Sequence, residues 1–365
     1  MEQKKVCVGV VGAGAISDIY LKNMINRFDN LYVKSICAAH IENAQRKAQE
    51  YGIQAVTMEE MYNDPEIRMI VNLTPAHVHY DVIKRALEHG KHVYTEKTLT
   101  DDLNKSAELV RLANEKGLYL GSAPDTFMGA ALQTARSAID SGMLGEIHSF
   151  AVSANRNNDI LLSLFDFLRK PGGGIVCDYA VYYVTALVSL LGPAARVGSI
   201  VGYPYPTHVN CVPGTPLYGQ TMDTPNESQV NAVLQFENGV TGTFHIDADS
   251  VMEDQAYFTI YGTKGILMLT DPNQFGGQVR FLQNTPNPEE RQEASVLQSV
   301  NEYSDNSRGI GPADLADTIL NGTPLRPSAE MAYHVHEVLN AMLEGGTSGG
   351  FTDIRSSCVR PEPLR

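Results

Sequence analysis

The sequence predicts a two-domain α/β protein whose N-terminal part is a doubly wound parallel sheet. Three observations predict it. Short apolar runs alternate with helical patterns from Val6 to Leu120, joined by short connections, as in a parallel sheet with helices on both faces. A glycine-rich turn, Gly12-Ala13-Gly14, follows the first run. The chain has 365 residues, enough for two domains at roughly 100–200 residues each. With 43% hydrophobic and 19% charged residues, the composition is globular and excludes intrinsic disorder as the main state. The 28 basic and 42 acidic residues leave a net charge of −14. Nucleic acids and anionic bilayers attract a basic field, so neither is expected as a partner. No run of 18 or more apolar residues is present to span a bilayer.

The valine-rich run Val6–Val11, bounded by glycine, predicts a strand buried on both faces. It follows Met1-Glu2-Gln3-Lys4-Lys5 too closely for a signal segment with a cleavage site. Helices are expected over 17–26, 42–51, 77–89 and 101–116, and strands over 32–38, 69–73, 91–94 and 118–120. Gly90 and Gly117 stop the last two helices, and acidic residues open the last one. A crossover near 121–126 divides the chain into domains 1–124 and 125–365. In the second, helices are expected over 127–141, 174–191, 314–320 and 329–343. Strands are expected over 147–155, 230–236, 242–248 and 257–261, with Asn238-Gly239 as a hairpin turn. The proline-rich stretch 203–216 reads as an ordered arm, and 284–308 as an exposed excursion. Cys7, Cys37, Cys177, Cys211 and Cys358 are scattered and form no C-x-x-C pair. They read as reduced thiols of a cytoplasmic protein, not as a disulfide framework or a zinc cage.

The glycine motif is G-x-G-x-x-S. Following a strand and opening a helix, it predicts a dinucleotide-binding turn of the Rossmann type. Gly12 permits the tight turn, Gly14 lets the backbone approach a pyrophosphate, and Ala15, Ile16 and Ser17 begin the helix whose N–H groups face the phosphates. The second strand ends Ala38-Ala39-His40. It offers neither the acid that holds the ribose of NAD nor the arginine that answers the extra phosphate of NADP. Arg46 and Lys47 read as a solvated face of the next helix. NAD is the favoured cofactor and NADP stays open, with His40 the one group placed to meet a 2′-phosphate.

Two further segments join the nucleotide loop. One runs Thr74-Pro75-Ala76-His77-Val78-His79 and, after a helix, Gly90-Lys91-His92-Val93-Tyr94-Thr95-Glu96-Lys97-Thr98. The other is Gly172-Gly173-Gly174-Ile175-Val176-Cys177-Asp178-Tyr179-Ala180-Val181-Tyr182-Tyr183. Together they resemble the Gfo/Idh/MocA family, the glucose–fructose oxidoreductase and inositol dehydrogenase group, over nearly the whole chain. The resemblance implies a C-terminal α/β domain with a large open, mostly antiparallel sheet through which subunits associate as a homo-oligomer. It also implies sugar, polyol or glycoside substrates. Thr74, Pro75, His79, Glu96 and Lys97 then join the cofactor site. This chain departs from the family at Thr98, which replaces the proline of Glu-Lys-Pro. A non-proline peptide bond favours trans, so a trans Lys97–Thr98 bond is expected. Ala76 replaces a frequent asparagine, and Tyr182 stands where many relatives carry histidine, as in the tyrosine branch of the family.

Oxidising a secondary alcohol requires a proton acceptor on the hydroxyl beside the cofactor's hydride acceptor. Asp178 and Tyr182 are four apart on a predicted helix and share a face. A free tyrosine has a pKa near 10. A lysine about 4 Å away, at an effective dielectric near 20, favours the phenolate by about 4 kcal/mol. Lys97, just past a strand that ends at the ligand crevice, is that lysine. Lys97 and Tyr182 are thus the alternative bases, and Asp178 orients one of them or binds a substrate hydroxyl. Asn155, Arg156 and Arg169, with Asp178 and Tyr182, are the candidate substrate contacts, Lys170 lying beside them. Core packing of Tyr182 is the competing reading. His77 and His79, like His334 and His336, are two apart on predicted helices, so no metal is expected. The leading function is NAD(P)-dependent oxidation at a secondary hydroxyl of a neutral sugar, polyol or glycoside, with sugar C3 oxidation as one variant. Its rivals are oxidation–elimination with glycoside cleavage, and a non-catalytic nucleotide sensor.

Overall fold

The computed structural model describes residues 5–170, 172–252, 255–290, 292–348 and 350–364. The first four residues of the N-terminal reading, and residue 291 of the polar excursion, lie outside them. The chain forms two compact units, one of residues 1–125 with 306–333, the other of 126–305 with 334–365. The N-terminal unit therefore includes a late segment that a single division near residue 124 does not describe.

The first unit holds a six-stranded parallel sheet. Its strands are β1 (Val6–Val11), β2 (Leu31–Cys37), β3 (Gln54–Ala55), β4 (Met69–Asn72), β5 (His92–Thr95) and β6 (Leu120–Ser122), in the order β3-β2-β1-β4-β5-β6. Val6, Val8, Val10 and all of β4 are buried, as a sheet covered on both faces requires. The helices are α1 (Ile16–Asn26), α2 (Ile41–Tyr51), α3 (Met58–Asn63), α4 (Ala76–Glu88) and α5 (Leu103–Lys116). Left-handed Gly52 and Gly117 end α2 and α5, and Thr57 with Glu60 forms a reciprocal capping box on α3. The direction of strand addition reverses between β1 and β4, which places the loops after these two strands at the switch point where such sheets bind ligands.

The second unit opens with a 3₁₀ turn (Thr126–Met128) and α6 (Ala130–Asp140). Then come β7 (Ile147–Asn155), α7 (Asn158–Leu164), a π turn (Val176–Ala180) and α8 (Val181–Leu191). The remaining strands are β8 (Ala194–Gly202), β9 (Thr207–Val209), β10 (Thr221–Asp223), β11 (Gln229–Phe236), β12 (Thr241–Asp247), β13 (Ala256–Gly262), β14 (Gly265–Leu269), β15 (Arg280–Gln283), β16 (Ser295–Val296) and β17 (Phe351–Asp353). The late helices are α9 (Ile310–Asn321), in the first unit, and α10 (Ala329–Ser348). Nine strands form one sheet in the order β16-β15-β14-β13-β7-β12-β11-β8-β17, antiparallel except for the β7–β12 pair. Every residue of α8 is buried, and Tyr183 packs edge-on to Phe244 of the sheet. The alternating burial of β11 and β12 marks one covered face and one open face. The Asn238-Gly239 hairpin forms as expected, with Gly239 at φ +88°. Strand β9 lies in the proline-rich arm and pairs antiparallel with β10 just beyond it.

Candidate active site

The loop after β1 is built for close approach. Gly12 has φ +112°, and a Cβ there would lie 2.8 Å from the Leu73 carbonyl carbon. Only glycine suits that position. Gly14 is exposed, with open space where a Cβ would stand. Ala15 precedes α1 without any side-chain cap hydrogen bond, so no capping side chain occupies the helix start where a phosphate would bind. Ser17 is buried, its hydroxyl donating to the Gly14 carbonyl at 2.6 Å. Ala38 is half-buried, and Ala39 and His40 are exposed at the end of β2. These residues fit a dinucleotide: a bare helix N-terminus, an unobstructed glycine and no side chain filling the cradle. Lys47, expected on a solvated face with Arg46, is instead buried and ion-paired with Asp18 of α1. Lys47 falls on the inward stripe of α2 with Ala44 and Ala48. Its ammonium holds the Asp18 carboxyl below the usual range. Arg46 is exposed.

Side-chain hydrogen bonds tie down the loops after β4 and β5. Asn72 Oδ1 accepts from the Thr74 hydroxyl at 2.7 Å, and Asn72 Nδ2 donates to Thr95 Oγ1 at 3.0 Å. His79, fully buried, has Nε2 2.7 Å from the Thr74 carbonyl oxygen and Nδ1 2.8 Å from that of Thr98. Burial pushes its pKa down. His79 is thus a strut between the two loops, while His77 is exposed on the opposite face of α4. Pro75 is exposed and stands before the first turn of α4. Glu96 accepts from the Tyr20 hydroxyl at 2.8 Å and from the Lys97 N–H at 3.1 Å. The Lys97–Thr98 bond is cis, contrary to the expected trans bond. The residue type at 98 does not alone decide the loop. The Thr98 carbonyl faces His79, and its hydroxyl donates to the Thr100 carbonyl at 2.8 Å.

In the second unit the glycine run leads into the π turn and α8. Asp178 lies in the π turn, half-buried, and Tyr182 in the first turn of α8, buried, with its ring centroid 6.5 Å from that of Tyr179. The continuous α-helix expected over 174–191 is therefore wound as a π turn at its start, a feature that recurs at functional sites. A narrow cleft, partly open to solvent, adjoins this segment. Its polar lining is Asn158, Asp178, Thr224, Asn226 and Glu227, against apolar Leu161, Leu162 and Leu168. None of its lining residues is basic.

The other expected contacts have protein partners of their own. Asn155 Nδ2 donates to Ser250 Oγ at 3.2 Å, and the Arg156 guanidinium lies 4.8 Å from the Tyr179 ring centroid. Arg169 and Lys170 both pair with Asp166. Residues that sequence reasoning passed over complete the two regions. In the first unit these are Tyr20, Asn72 and buried Asp125, whose carboxylate accepts from Gly311 N–H at 3.1 Å. In the second unit they are Glu227, Asn226 and His208. His208 lies between Asp159, with Nδ1 to Oδ1 at 2.7 Å, and Asp249, with Nε2 to Oδ1 at 3.3 Å. Apart from the Asn72–Thr74 bond, their partners are distant in sequence, so local spacing does not signal them. Among the described residues, no three His, Cys, Asp or Glu side chains converge as a metal site. No described helix is long and apolar enough to cross a membrane.

The fold and the two regions define a protein with a nucleotide-binding unit and a mixed-sheet unit that bears a polar cleft. The chain belongs to the Gfo/Idh/MocA oxidoreductase family. The family's NAD-binding Rossmann fold matches residues 6–123, and its C-terminal domain matches 132–268. The uncharacterised oxidoreductase YhhX of Escherichia coli (strain K12) is 31% identical over 192 residues, 50% of this chain and 52% of that protein. The scyllo-inositol 2-dehydrogenase (NADP(+)) IolW of Bacillus subtilis (strain 168) is 28% identical over 195 residues, 53% of this chain and 54% of that protein. The chain thus spans about half the length of these curated relatives. A levoglucosan dehydrogenase solved in complex with NADH shares the fold with a TM-score of 0.84, covering 97% of this chain and 100% of that one at 18% identity.

Proposed function

We propose that the chain is an NAD(P)-dependent oxidoreductase that acts on a secondary hydroxyl of a neutral sugar, polyol or glycoside, oxidation at the sugar's third carbon being one variant. The observation that carries this reading is the cleft beside Asp178, lined by amides, a hydroxyl and two carboxylates, with no basic residue. Polyhydroxylated ligands need such donors and acceptors. A phosphosugar needs a cation there, and Arg169 and Lys170 are engaged with Asp166. Relatives named for scyllo-inositol and levoglucosan support the same substrate class.

Bound nicotinamide supplies the hydride acceptor. The protein's part is to take the hydroxyl proton, a role assigned to Lys97 or Tyr182, while Asp178 orients the substrate. The loop at 12–17 binds the pyrophosphate, with Thr74, Pro75, His79 and Glu96 shaping the loops beside it. NAD is favoured because residues 38–40 carry no arginine; NADP is the control. The test is a panel of sugars, polyols and glycosides with either nucleotide, followed by reduced-cofactor absorbance. Turnover of a neutral member is expected, and Lys97→Ala and Tyr182→Phe should each lower it by about 10²-fold or more. Full turnover in both variants would refute the site. Net glycoside cleavage without release of reduced cofactor would favour oxidation–elimination, and nucleotide binding with neither reaction would favour a sensor.

A further inference from the structure

We propose that Glu227 is a positioning residue for the segment that carries Asp178 and Tyr182; the proposal rests on the roles given to those two residues above. Glu227 is 8% exposed, and its carboxylate accepts the Val176 N–H at 3.0 Å. Its main-chain carbonyl accepts the neighbouring Ile175 N–H at 3.1 Å. The first N–H groups of a helix have no partner within the helix. Here a single residue from the strand side of the unit satisfies two of them. The segment's own residue before the π turn, Ile175, provides no side-chain cap, so the acceptor has to come from outside. A carboxylate at this end also complements the helix dipole.

Gly174 makes room for this arrangement. A Cβ at that position would lie 2.1 Å from Glu227 Oε1, so the carboxylate occupies the volume that any other residue at 174 would fill. The adjacent Asn226 extends the same attachment. Its side-chain amide donates to the carbonyls of Leu168 at 2.8 Å and Lys170 at 2.7 Å. Residues 226 and 227 therefore fasten both the loop that precedes the glycine run and the first turn that follows it. Asp178 stands two residues beyond Val176, on the turn that these bonds hold, and both Asp178 and Glu227 line the cleft. Burial pushes the Glu227 carboxyl above its usual range, with the Val176 N–H opposing. A neutral glutamine, which keeps an acceptor oxygen, can thus replace it in this role.

The test uses the full chain with NAD and three variants: E227A, E227Q and G174A, whose added methyl displaces the carboxylate without removing it. Two quantities are read: amide hydrogen exchange over residues 175–182 without substrate, and kcat and KM on a neutral substrate from the panel. E227A and G174A should raise exchange by roughly five- to tenfold, as for a lost helix cap. Both should lower kcat with the KM for NAD unchanged, and E227Q should recover both quantities toward the wild type. Unchanged exchange in E227A would overturn the proposal. So would an E227Q as impaired as E227A, or an E227A that raises substrate KM at full kcat, which marks a ligand contact. If E227A does not fold, G174A and E227Q decide. If the wild type turns over no panel member, the proposed function fails while the exchange data still judge Glu227. If the wild type is active and E227A matches it, Glu227 fails alone.

Discussion

At the scale of single residues, the nucleotide loop makes the firmest demand. Replacing Gly12 by alanine puts a methyl group 2.8 Å from the Leu73 carbonyl carbon at a φ of +112°, so Gly12→Ala should weaken NAD binding at least tenfold by calorimetry, about 1.4 kcal/mol. Gly14→Ala meets open space and should leave the fold intact, which separates backbone geometry from phosphate approach. The glycines were legible in the sequence because a turn between a strand and a helix has a local signature. The residues that hold the site were not. The acceptor for the Val176 N–H stands 51 positions away, and the carboxylate on His208 Nδ1 stands 49 away. The contact of the Thr98 carbonyl with His79, 19 positions back, likewise has no local signature.

At the scale of elements, the proline-rich arm, which had no assigned role, is held in part by His208, whose Nδ1 is 2.7 Å from Asp159 and whose Nε2 faces Asp249, and by the Cys211 N–H, which donates to Ser163 Oγ at 3.2 Å. Asp249 and Asp159 raise the pKa of His208, against the opposing effect of burial. A histidine whose folded pKa is raised stabilises the fold below its unfolded value and loses that contribution as pH rises through the folded one. Protection of the arm around β9, corrected for intrinsic exchange, should therefore fall as pH rises above the ordinary histidine range near 6.5. His208→Gln should flatten that dependence; an arm equally protected below and above that range would dismiss the clamp. Strands buried on both faces, such as β1 and β4, declared themselves as apolar runs. β3 and α3 went unread because Gln54-Ala55 is too short and the helix Met58–Asn63 is half polar. β8 escaped because glycine, alanine and arginine interrupt its alternation.

At the scale of the whole molecule, the late segment completes the first unit. Asn23 Nδ2 donates to the carbonyls of Asn306 and Arg308, Asn30 Nδ2 to that of Ala313, and a Cβ on Gly311 would lie 2.3 Å from the Tyr94 hydroxyl oxygen. Buried Asp125 accepts from Gly309 and Gly311. Burial pushes its carboxyl up to about 6, with the Arg308 guanidinium opposing. A carboxyl raised in the folded state stabilises below its unfolded pKa, and that contribution is lost as pH rises through about 6. Asp125→Asn should therefore raise the melting temperature at pH 8, by about 2–4 °C for each kcal/mol relieved, and change little at pH 4. An equal effect at both pH values would show that the carboxyl does not titrate with folding. No sequence pattern linked α9 to β1, because such joining is non-local. The arrangement also sets a timetable for synthesis. A ribosome releases the first 125 residues long before α9 exists, so the nucleotide-binding unit cannot close until about nine-tenths of the chain has been made. Until then its unfinished flank is open to chaperones and proteases, and a gene cut at residue 125 would encode an incomplete unit.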